Sequence, residues 1–203
     1  MTTLTLHLVR HGQTLFNRRE LVQGWVDSPL TERGWRQAEA AAEHLAGRPL
    51  QSVYASTSER AVDTASRIVE HHPGLSVVQR KALKEMYFGE LEARPDSEFF
   101  EAIGNPTTFF PEAIAGRGRP VGGGESPADY RARVESAMTE ILGAAALGSE
   151  LVVVSHGVTI NVMLSVLGGE SPGPIVNGAV TTVSMVDRGG WVFSSLDLWE
   201  PGE

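Results

Sequence analysis

The first strand predicted from the sequence shows a regular alternation of side chains. Leucine occupies positions 4, 6 and 8, and Thr5, His7 and Val9 occupy the positions that follow them. A repeat of two residues is typical of a β-strand that is at least half buried. Arg10 and His11 come directly after this alternation, so we expect them at the carboxyl end of a strand.

Further strands and helices alternate along the chain. The predicted helices cover about residues 31–46, 59–71, 126–147 and 158–167, and the predicted strands about 52–55, 75–79, 150–154, 180–187 and 191–198. Thr31 is a suitable N-cap, Ser126 and Pro127 together are a strong helix start, and 188–190 (Arg-Gly-Gly) suits a hairpin turn. The order predicts a three-layer α/β fold with a mostly parallel central sheet and helices on both faces.

Residues 82–124 interrupt this alternation. They contain many glycines and prolines, five phenylalanines and scattered charges. We expect an irregular segment with one or two short helices, one of them near Ser97 to Ile103. A long irregular segment in a compact domain is usually functional, so we expect it to form a lid over the site. No repeat or linker divides the sequence, and we expect a single domain over 1–203.

Composition and charge narrow the classes of function. The chain has 203 residues, a formal net charge of −8 and no cysteine. Disulfides, thiol catalysis and zinc–thiolate sites are therefore excluded. The acidic residues are spread along the chain, which is untypical of a nucleic-acid binder, and neither a signal peptide nor an apolar run of membrane-spanning length occurs. We expect a cytoplasmic protein that binds neither nucleic acid nor membrane, with a homodimer as an option.

Chemically active side chains follow two of the predicted strands. His11 follows the first strand and His156 follows the strand at 150–154, each with a glycine after it. If these strands are parallel neighbours, both imidazoles lie in the crevice beyond their carboxyl ends. Arg60, in the first turn of a helix, points to the same edge. With Arg10 and Asn17 these groups predict an anion site, because the guanidinium donors of arginine match phosphate oxygens.

Short motifs are spaced along most of the chain. They are Arg10-His11-Gly12 with Thr14 and Asn17, Gln23-Gly24-Trp25 with Asp27-Ser28-Pro29-Leu30-Thr31, Tyr54-Ala55-Ser56 through Arg60-Ala61 and Asp63-Thr64-Ala65, Leu83-Lys84-Glu85 with Phe88-Gly89, Gly123-Gly124-Glu125-Ser126, and Val154-Ser155-His156-Gly157. Their joint occurrence, in this order, resembles the histidine phosphatase superfamily in its phosphoglycerate-mutase-like branch. One departure is Ala93, where many relatives have glycine.

The resemblance implies roles for the matching residues. His11 would be the nucleophile that forms a phosphohistidine. Glu85 would protonate the leaving alkoxide and then activate water, with Glu90 and Glu92 as the competing carboxylates. The residues implied to hold phosphoryl oxygens are Arg10, Arg60, His156 and Asn17, with Gln23, Gly24 and Gly157 as further phosphate-binding positions. The resemblance implies no metal ion and no cofactor.

The family contains both mutases and phosphatases. Mutases of this type usually follow the acid with an Arg-His-Tyr-like run, whereas 86–88 here are Met-Tyr-Phe. Arg94, Arg117 and Arg119 could partly replace the missing charge. We expect hydrolysis of small phosphate esters through phosphohistidine, with apolar or aromatic leaving groups tolerated. Phosphoglycerate mutase is one alternative, and a non-catalytic module that binds a phosphorylated ligand is the second.

Overall fold

A six-stranded sheet forms the centre of the protein in the computed structural model, which describes residues 3–146, 148–187 and 191–202. The strands are β1 (Thr3–Arg10), β2 (Leu50–Ser56), β3 (Val77–Arg80), β4 (Glu150–Ser155), β5 (Val180–Asp187) and β6 (Trp191–Trp199). Their order is β3-β2-β4-β1-β5-β6. Neighbours from β3 to β1 pair in parallel, and β5 is antiparallel to both β1 and β6. The expected mostly parallel sheet is confirmed.

Seven α-helices are present in the described part of the chain. They are α1 (Leu15–Arg18), α2 (Glu32–Leu45), α3 (Glu59–Glu70), α4 (Asp96–Ile103), α5 (Pro106–Ile114), α6 (Pro127–Gly143) and α7 (Gly157–Val166). The side chains of Thr31 and Ser126 accept from the N–H groups of Gly34 and Asp129, so both predicted N-caps are confirmed. The helix predicted to reach Leu147 ends earlier, at Gly143. Leu147 itself and the predicted turn at 188–190 lie outside the described residues.

The sheet separates two hydrophobic clusters, one on each face. On one face α2 and α3 pack through buried alanines, which let the helices approach the strands closely: Ala41, Ala42, Ala61 and Ala65. On the other face the leucines of β1 pack with α6 and α7, where Val134, Met138 and Ile160 are buried. The three-layer architecture is therefore confirmed. None of the helices within the described ranges combines the length and apolar character needed to cross a bilayer.

The segment at 82–124 is more helical than its composition suggests. The short helix expected near Ser97 is α4, and α5 follows it directly with Asn105 as its N-cap. Phe99 is buried between the rings of four other phenylalanines, which gives this segment its own small apolar centre. Ala93 has a φ of 62°, a conformation that favours glycine and strains alanine. Closure of the segment as a lid stays a prediction.

Candidate active site

The carboxyl ends of β1 and β4 place the two histidines side by side. Arg10 and Ser155 are the last residues paired between these parallel strands. His11 and His156 follow them directly, and the centroids of their rings are 5.2 Å apart. The predicted juxtaposition of the two imidazoles at one sheet edge is therefore present.

The hydrogen bonds of His11 determine which of its ring nitrogens carries the proton. Its Nδ1 lies 2.8 Å from the carbonyl oxygen of Gly12, which can only accept, so Nδ1 carries the proton and Nε2 the lone pair. Burial, followed by the charges of Arg60 and Arg10, lowers the pKa of His11 well below its usual value. The imidazole therefore stays neutral at neutral pH, as attack on phosphorus requires.

Arg60 lies behind the histidines and is completely buried. The guanidinium donates to the carbonyl oxygens of Gly24 and Val26 at 2.8 and 3.0 Å and to Asp27 Oδ1 at 2.8 Å. Its Nε also lies 3.3 Å from His11 Nε2. Burial lowers the pKa of Arg60, although Asp27 and Glu85 act against this. An arginine remains charged throughout the usual pH range, so Arg60 is a fixed cation beside the atom expected to be phosphorylated.

Both ring nitrogens of His156 already have partners. Nδ1 accepts from Arg60 Nη2 at 3.0 Å, which leaves the proton on Nε2, and that group donates to Ser56 Oγ at 2.9 Å. Burial lowers the pKa of His156 well below its usual value, and the charge of Arg60 is the next largest cause. In this structure His156 thus orients Arg60, and the phosphate contact expected for it stays a prediction.

Arg10 provides the cation that reaches the cavity beside His11. One of its terminal nitrogens donates to the carbonyl oxygen of Ile175. Its Nε is buried, and no atom of the described residues accepts a hydrogen bond from it. A Cβ at Gly157 would lie 3.6 Å from this nitrogen, in ordinary van der Waals contact with the guanidinium. A buried donor without a partner is costly, which suits a group that binds an anion.

The amide oxygen of Asn17 is held by two donors of the protein. Its Oδ1 accepts from the Thr14 N–H and from Asn177 Nδ2, each at 3.2 Å. Asn17 lines the cavity with His11, and because its oxygen already accepts two hydrogen bonds, its Nδ2 group is the part of the amide left to donate to a ligand. Asn177 also donates to the His11 carbonyl oxygen at 3.0 Å, so one side chain ties both residues together.

Gln23 and Gly24, which were also expected to bind phosphate, take different positions. Gln23 lines the cavity. Both its side-chain nitrogen and its oxygen have hydrogen-bond partners when the nitrogen donates to Thr14 Oγ1 at 2.7 Å. Gly24 instead directs its carbonyl oxygen to Arg60. A Cβ at Gly24 would lie 2.3 Å from the Met86 carbonyl oxygen, so close backbone packing requires glycine there. Gly24 is placed to hold the arginine, and its expected phosphate contact stays a prediction.

Glu85 is buried and lines the same cavity as His11. Its carboxylate accepts from the N–H groups of Met86 and Val158, both at 3.0 Å. Tyr130 Oη lies 2.6 Å and Thr159 Oγ1 2.9 Å from the same oxygen, Oε1. The two N–H groups and the Tyr130 hydroxyl therefore hold the carboxyl group, and the Thr159 hydroxyl lies within hydrogen-bond distance of it, of Tyr130 Oη and of the Lys84 carbonyl oxygen.

Arg133 fixes the backbone of the segment that carries Glu85. Its guanidinium donates to the carbonyl oxygens of Ala82, Lys84 and Glu85 at 2.7–2.9 Å. The same group forms a two-pronged ion pair with Glu125. Three carbonyl oxygens fixed by one cation make the segment before Glu85 rigid, because planar arginine donors leave little freedom.

The competing carboxylates are placed differently. Glu92 accepts from the N–H groups of Trp25, Val26 and Phe88 at 2.7, 2.6 and 3.2 Å, and so supports the loop that carries Gly24. Glu90 is exposed. Of the three, Glu85 is the carboxylate that lines the cavity with His11.

The cavity has a volume of about 690 Å³ and two unlike ends. One end carries Arg10, His11, Glu85 and His156. The other is formed largely by apolar side chains from α4, α5 and the loop before β5: Phe100, Pro106, Phe110, Pro111, Ile114, Pro174 and Ile175. A ligand with a phosphate at the polar end therefore places its remaining part against an apolar wall.

Sequence reasoning missed four residues that support the site, namely Asn177, Tyr130, Thr159 and Arg133. Thr159 follows His156 by three residues in the first turn of α7, and this spacing could have identified it. The other three come from segments distant in sequence and carry no motif of their own. They act by contact with residues that the motifs do contain.

Comparisons with known proteins agree with this geometry. A family model for the histidine phosphatase superfamily (branch 1) matches residues 6–197. The chain is 34% identical over 174 residues to a probable phosphoglycerate mutase of Yersinia pestis, covering 82% of this chain and 75% of the relative. A phosphoglycerate mutase structure from Bacillus anthracis shares 26% identity, with a TM-score of 0.83 over 95% of this chain and 92% of the other.

Phosphatase structures are equally similar. A mycobacterial glucosyl-3-phosphoglycerate phosphatase shares 27% identity, with a TM-score of 0.82 over 98% of this chain and 100% of the other. The polar end of the cavity, the three-layer fold and the match over nearly the whole chain point to the same group. This chain belongs to the histidine phosphatase superfamily (branch 1), whose members act as phosphatases or mutases.

Proposed function

We propose that this protein is a phosphomonoesterase that hydrolyses small phosphorylated metabolites through a phosphohistidine on His11. The observation that carries the proposal is the composition of the cavity, which joins a histidine–arginine–carboxylate end to an apolar wall. Such a wall suits the uncharged, apolar part of an ester. The expected partner is a small phosphate ester, and the cytoplasmic location and the homodimer option stay predictions.

The first step transfers the phosphoryl group to the protein. His11 Nε2 attacks phosphorus, the P–N bond forms and the ester P–O bond breaks. Glu85 gives its proton to the departing alkoxide, a contribution worth roughly 10²–10⁴-fold in rate. Arg10 and Arg60 balance the negative charge that develops on the phosphoryl oxygens.

The second step returns the protein to its starting state. Glu85, now ionised, takes a proton from water while the water oxygen attacks phosphorus. The P–N bond breaks, His11 regains its lone pair and inorganic phosphate leaves. A covalent intermediate divides one difficult displacement into two easier ones, and the proposed steps use only groups of this chain.

The arginines of the 82–124 segment bear on the mutase alternative. A phosphoglycerate also carries a carboxylate, which needs a second cation. Arg94 pairs with Glu98 and Arg117 with Glu112, both on the surface. Arg119 is exposed, and none of the three is among the residues that line the cavity. This arrangement favours hydrolysis over exchange between two positions of a glycerate.

The test compares release of phosphate with isomerisation. Purified protein is incubated with a panel of phosphorylated metabolites, p-nitrophenyl phosphate and 3-phosphoglycerate, and both inorganic phosphate and 2-phosphoglycerate are measured. We expect phosphate release from several esters and little isomerisation. Isomerisation faster than phosphate release would identify a mutase. Saturable binding of phosphate esters with no turnover would support the non-catalytic module.

A further inference from the structure

The two oxygens of the Glu85 carboxylate have unlike surroundings. Oε1 lies 3.0 Å from the Met86 nitrogen, 2.6 Å from Tyr130 Oη and 2.9 Å from Thr159 Oγ1. Oε2 accepts from the Val158 N–H alone among the described residues. Val158 belongs to the wall of the cavity. One oxygen is thus crowded with donors, whereas the other faces one donor at the start of α7.

Tyr130 can serve as a lasting donor to Oε1. It lies in the second turn of α6 and its side chain is completely buried. Burial, with the charge of Glu85 as the next cause, raises the pKa of Tyr130 well above its usual value. The phenol therefore keeps its proton at every pH at which the enzyme would work. Thr159 Oγ1 lies 2.8 Å from Tyr130 Oη and completes the cluster.

We propose that Tyr130, assisted by Thr159, is a positioning residue that reserves Oε1 as an acceptor and thereby assigns the transferable proton to Oε2. The inference rests on the proposed function, because it needs Glu85 to act as acid and base. An acid with two equivalent oxygens would hold its proton on the wrong one for part of the time. Donors directed at Oε1 remove that ambiguity, since protonation there would displace a hydrogen bond.

The proton balance is the same in both steps. During phosphorylation of His11 the Oε2–H bond breaks and the proton moves to the oxygen of the leaving group. During hydrolysis of the phosphohistidine a proton of water moves to Oε2. Tyr130 keeps its own proton throughout. Its hydrogen bond to Oε1 is strongest when that oxygen carries negative charge, because an ionised acceptor strengthens a hydrogen bond.

Other charged and titratable groups surround the carboxyl from each neighbouring element. They are Arg10 from β1, Arg60 from α3, Arg133 from α6, and His11 and His156 at the ends of β1 and β4. Lys84, the preceding residue, directs its ammonium group at the Trp25 carbonyl oxygen. Substitution of Tyr130 leaves all these residues in the chain, so the pH profile of the variant isolates the effect of the hydroxyl.

The experiment removes single hydroxyl groups and follows the pH dependence of kcat/KM for an alkyl phosphate. In Tyr130→Phe the alkaline limb, where the acid loses its proton, should move to higher pH by about one unit, because a donor to the ionised form is lost. Thr159→Val should move it less. Tyr54→Phe is the matched control, since Tyr54 is a buried tyrosine of β2 that is not among the groups within hydrogen-bond distance of the Glu85 carboxyl, and it should leave the limb in place.

The direction of the shift decides the outcome. An unmoved limb in folded Tyr130→Phe overturns the proposal. A limb moved to lower pH also overturns it, because Tyr130 would then accept a proton from Oε1 of the acid. Circular dichroism checks the folding of each variant. If Tyr130→Phe does not fold, Thr159→Val replaces it, and the pH titration of the ¹³C-labelled Glu85 carboxyl is compared with that of the wild type. The titration midpoint should move upward in Thr159→Val.

Failure of the proposed function would look different. In that case the wild-type protein releases no phosphate from any ester, and the inference falls with the function. If the wild type is active and Glu85→Gln removes the alkaline limb, the function stands. An unshifted limb in Tyr130→Phe then refutes the positioning role alone.

Discussion

The two ends of the cavity are built in opposite ways. At the polar end the side chains come from strand ends and first helical turns, and His11, His156 and Arg60 are linked by direct hydrogen bonds. At the apolar end the wall comes from α4, α5 and a loop, and Phe100 is 44% exposed. The polar end is fixed by many directional contacts, whereas the apolar end is held by less specific packing.

From this difference we expect the polar end to carry out the chemistry and the apolar end to determine the preference among substrates. Removing one member of a hydrogen-bonded network in a low-dielectric site costs much free energy, because its partners are left unsatisfied. Removing a side chain from an apolar wall costs only its contact area. We therefore expect substitutions at the polar end to affect all substrates strongly. Substitutions at the apolar end should change the preference among substrates.

The largest effect is expected from His11→Ala. Loss of the nucleophile should reduce turnover by at least about 10⁴-fold. The fold should persist, because within the described residues the removed ring makes one hydrogen bond to backbone, at Gly12. Phosphate release and a thermal melt measure the two properties. Labelled phosphate, trapped by alkaline quenching of the wild type because phosphohistidine is hydrolysed in acid, should be found on His11, and a label on another residue such as His156 would contradict the assignment.

Glu85→Gln should produce the next largest effect, and it should depend on the leaving group. Hydrolysis of an alkyl phosphate should slow by roughly 10²–10⁴-fold, because an alkoxide leaves poorly without a proton. p-Nitrophenolate departs without one, so p-nitrophenyl phosphate should lose far less. Pre-steady-state bursts establish that phosphorylation of His11 limits both rates. Equal losses would remove Glu85 from the acid role, and Glu90→Gln and Glu92→Gln would then be compared.

Arg60→Lys tests the fixed cation behind the histidines. Lysine keeps the charge but cannot reproduce the fork of donors to Gly24, Asp27 and His156. We expect a loss of about 10²-fold in kcat and weaker inhibition by vanadate. Arg94→Lys, at an exposed arginine paired with Glu98, is the control and should behave as wild type. Near-full activity of Arg60→Lys would argue against a role for the Arg60 guanidinium in balancing the charge on the phosphoryl oxygens.

The polar end was largely predictable from the sequence, for a topological reason. Parallel neighbouring strands bring their carboxyl ends together, so a histidine after each of two strands predicts a shared crevice. Arg60 followed from its place in the first turn of α3. The position of Gly24 did not follow, because its close approach to Met86 depends on the packing of two loops.

The supporting residues and the apolar wall could not be predicted from the sequence in the same way. Tyr130 and Arg133 look like ordinary positions of an amphipathic helix, and only the packing of α6 against the 82–124 segment turns them toward Glu85. Asn177 reaches Asn17 across 160 positions of sequence. Phe100 and Phe110 line the cavity, whereas Phe99 is buried among other phenylalanine rings. Long-range contacts of irregular segments have no period from which to predict them.

The smallest effect is expected at the apolar wall, from Phe110→Ala. The ring of Phe110 lines the cavity, whereas Phe109 packs on Phe99 and Phe110 and is not among the lining residues. Phe110→Ala should reduce kcat/KM by roughly tenfold for aryl or long-chain phosphates, which use the wall, and leave a small alkyl phosphate nearly unchanged. Phe109→Ala removes the same number of atoms from the same helix. It should lower the melting temperature without changing the ratio of the two kcat/KM values. If Phe110→Ala slowed both substrates equally, the wall would act by supporting the polar end. The contrast between an end that performs chemistry and an end that selects substrates would then be wrong.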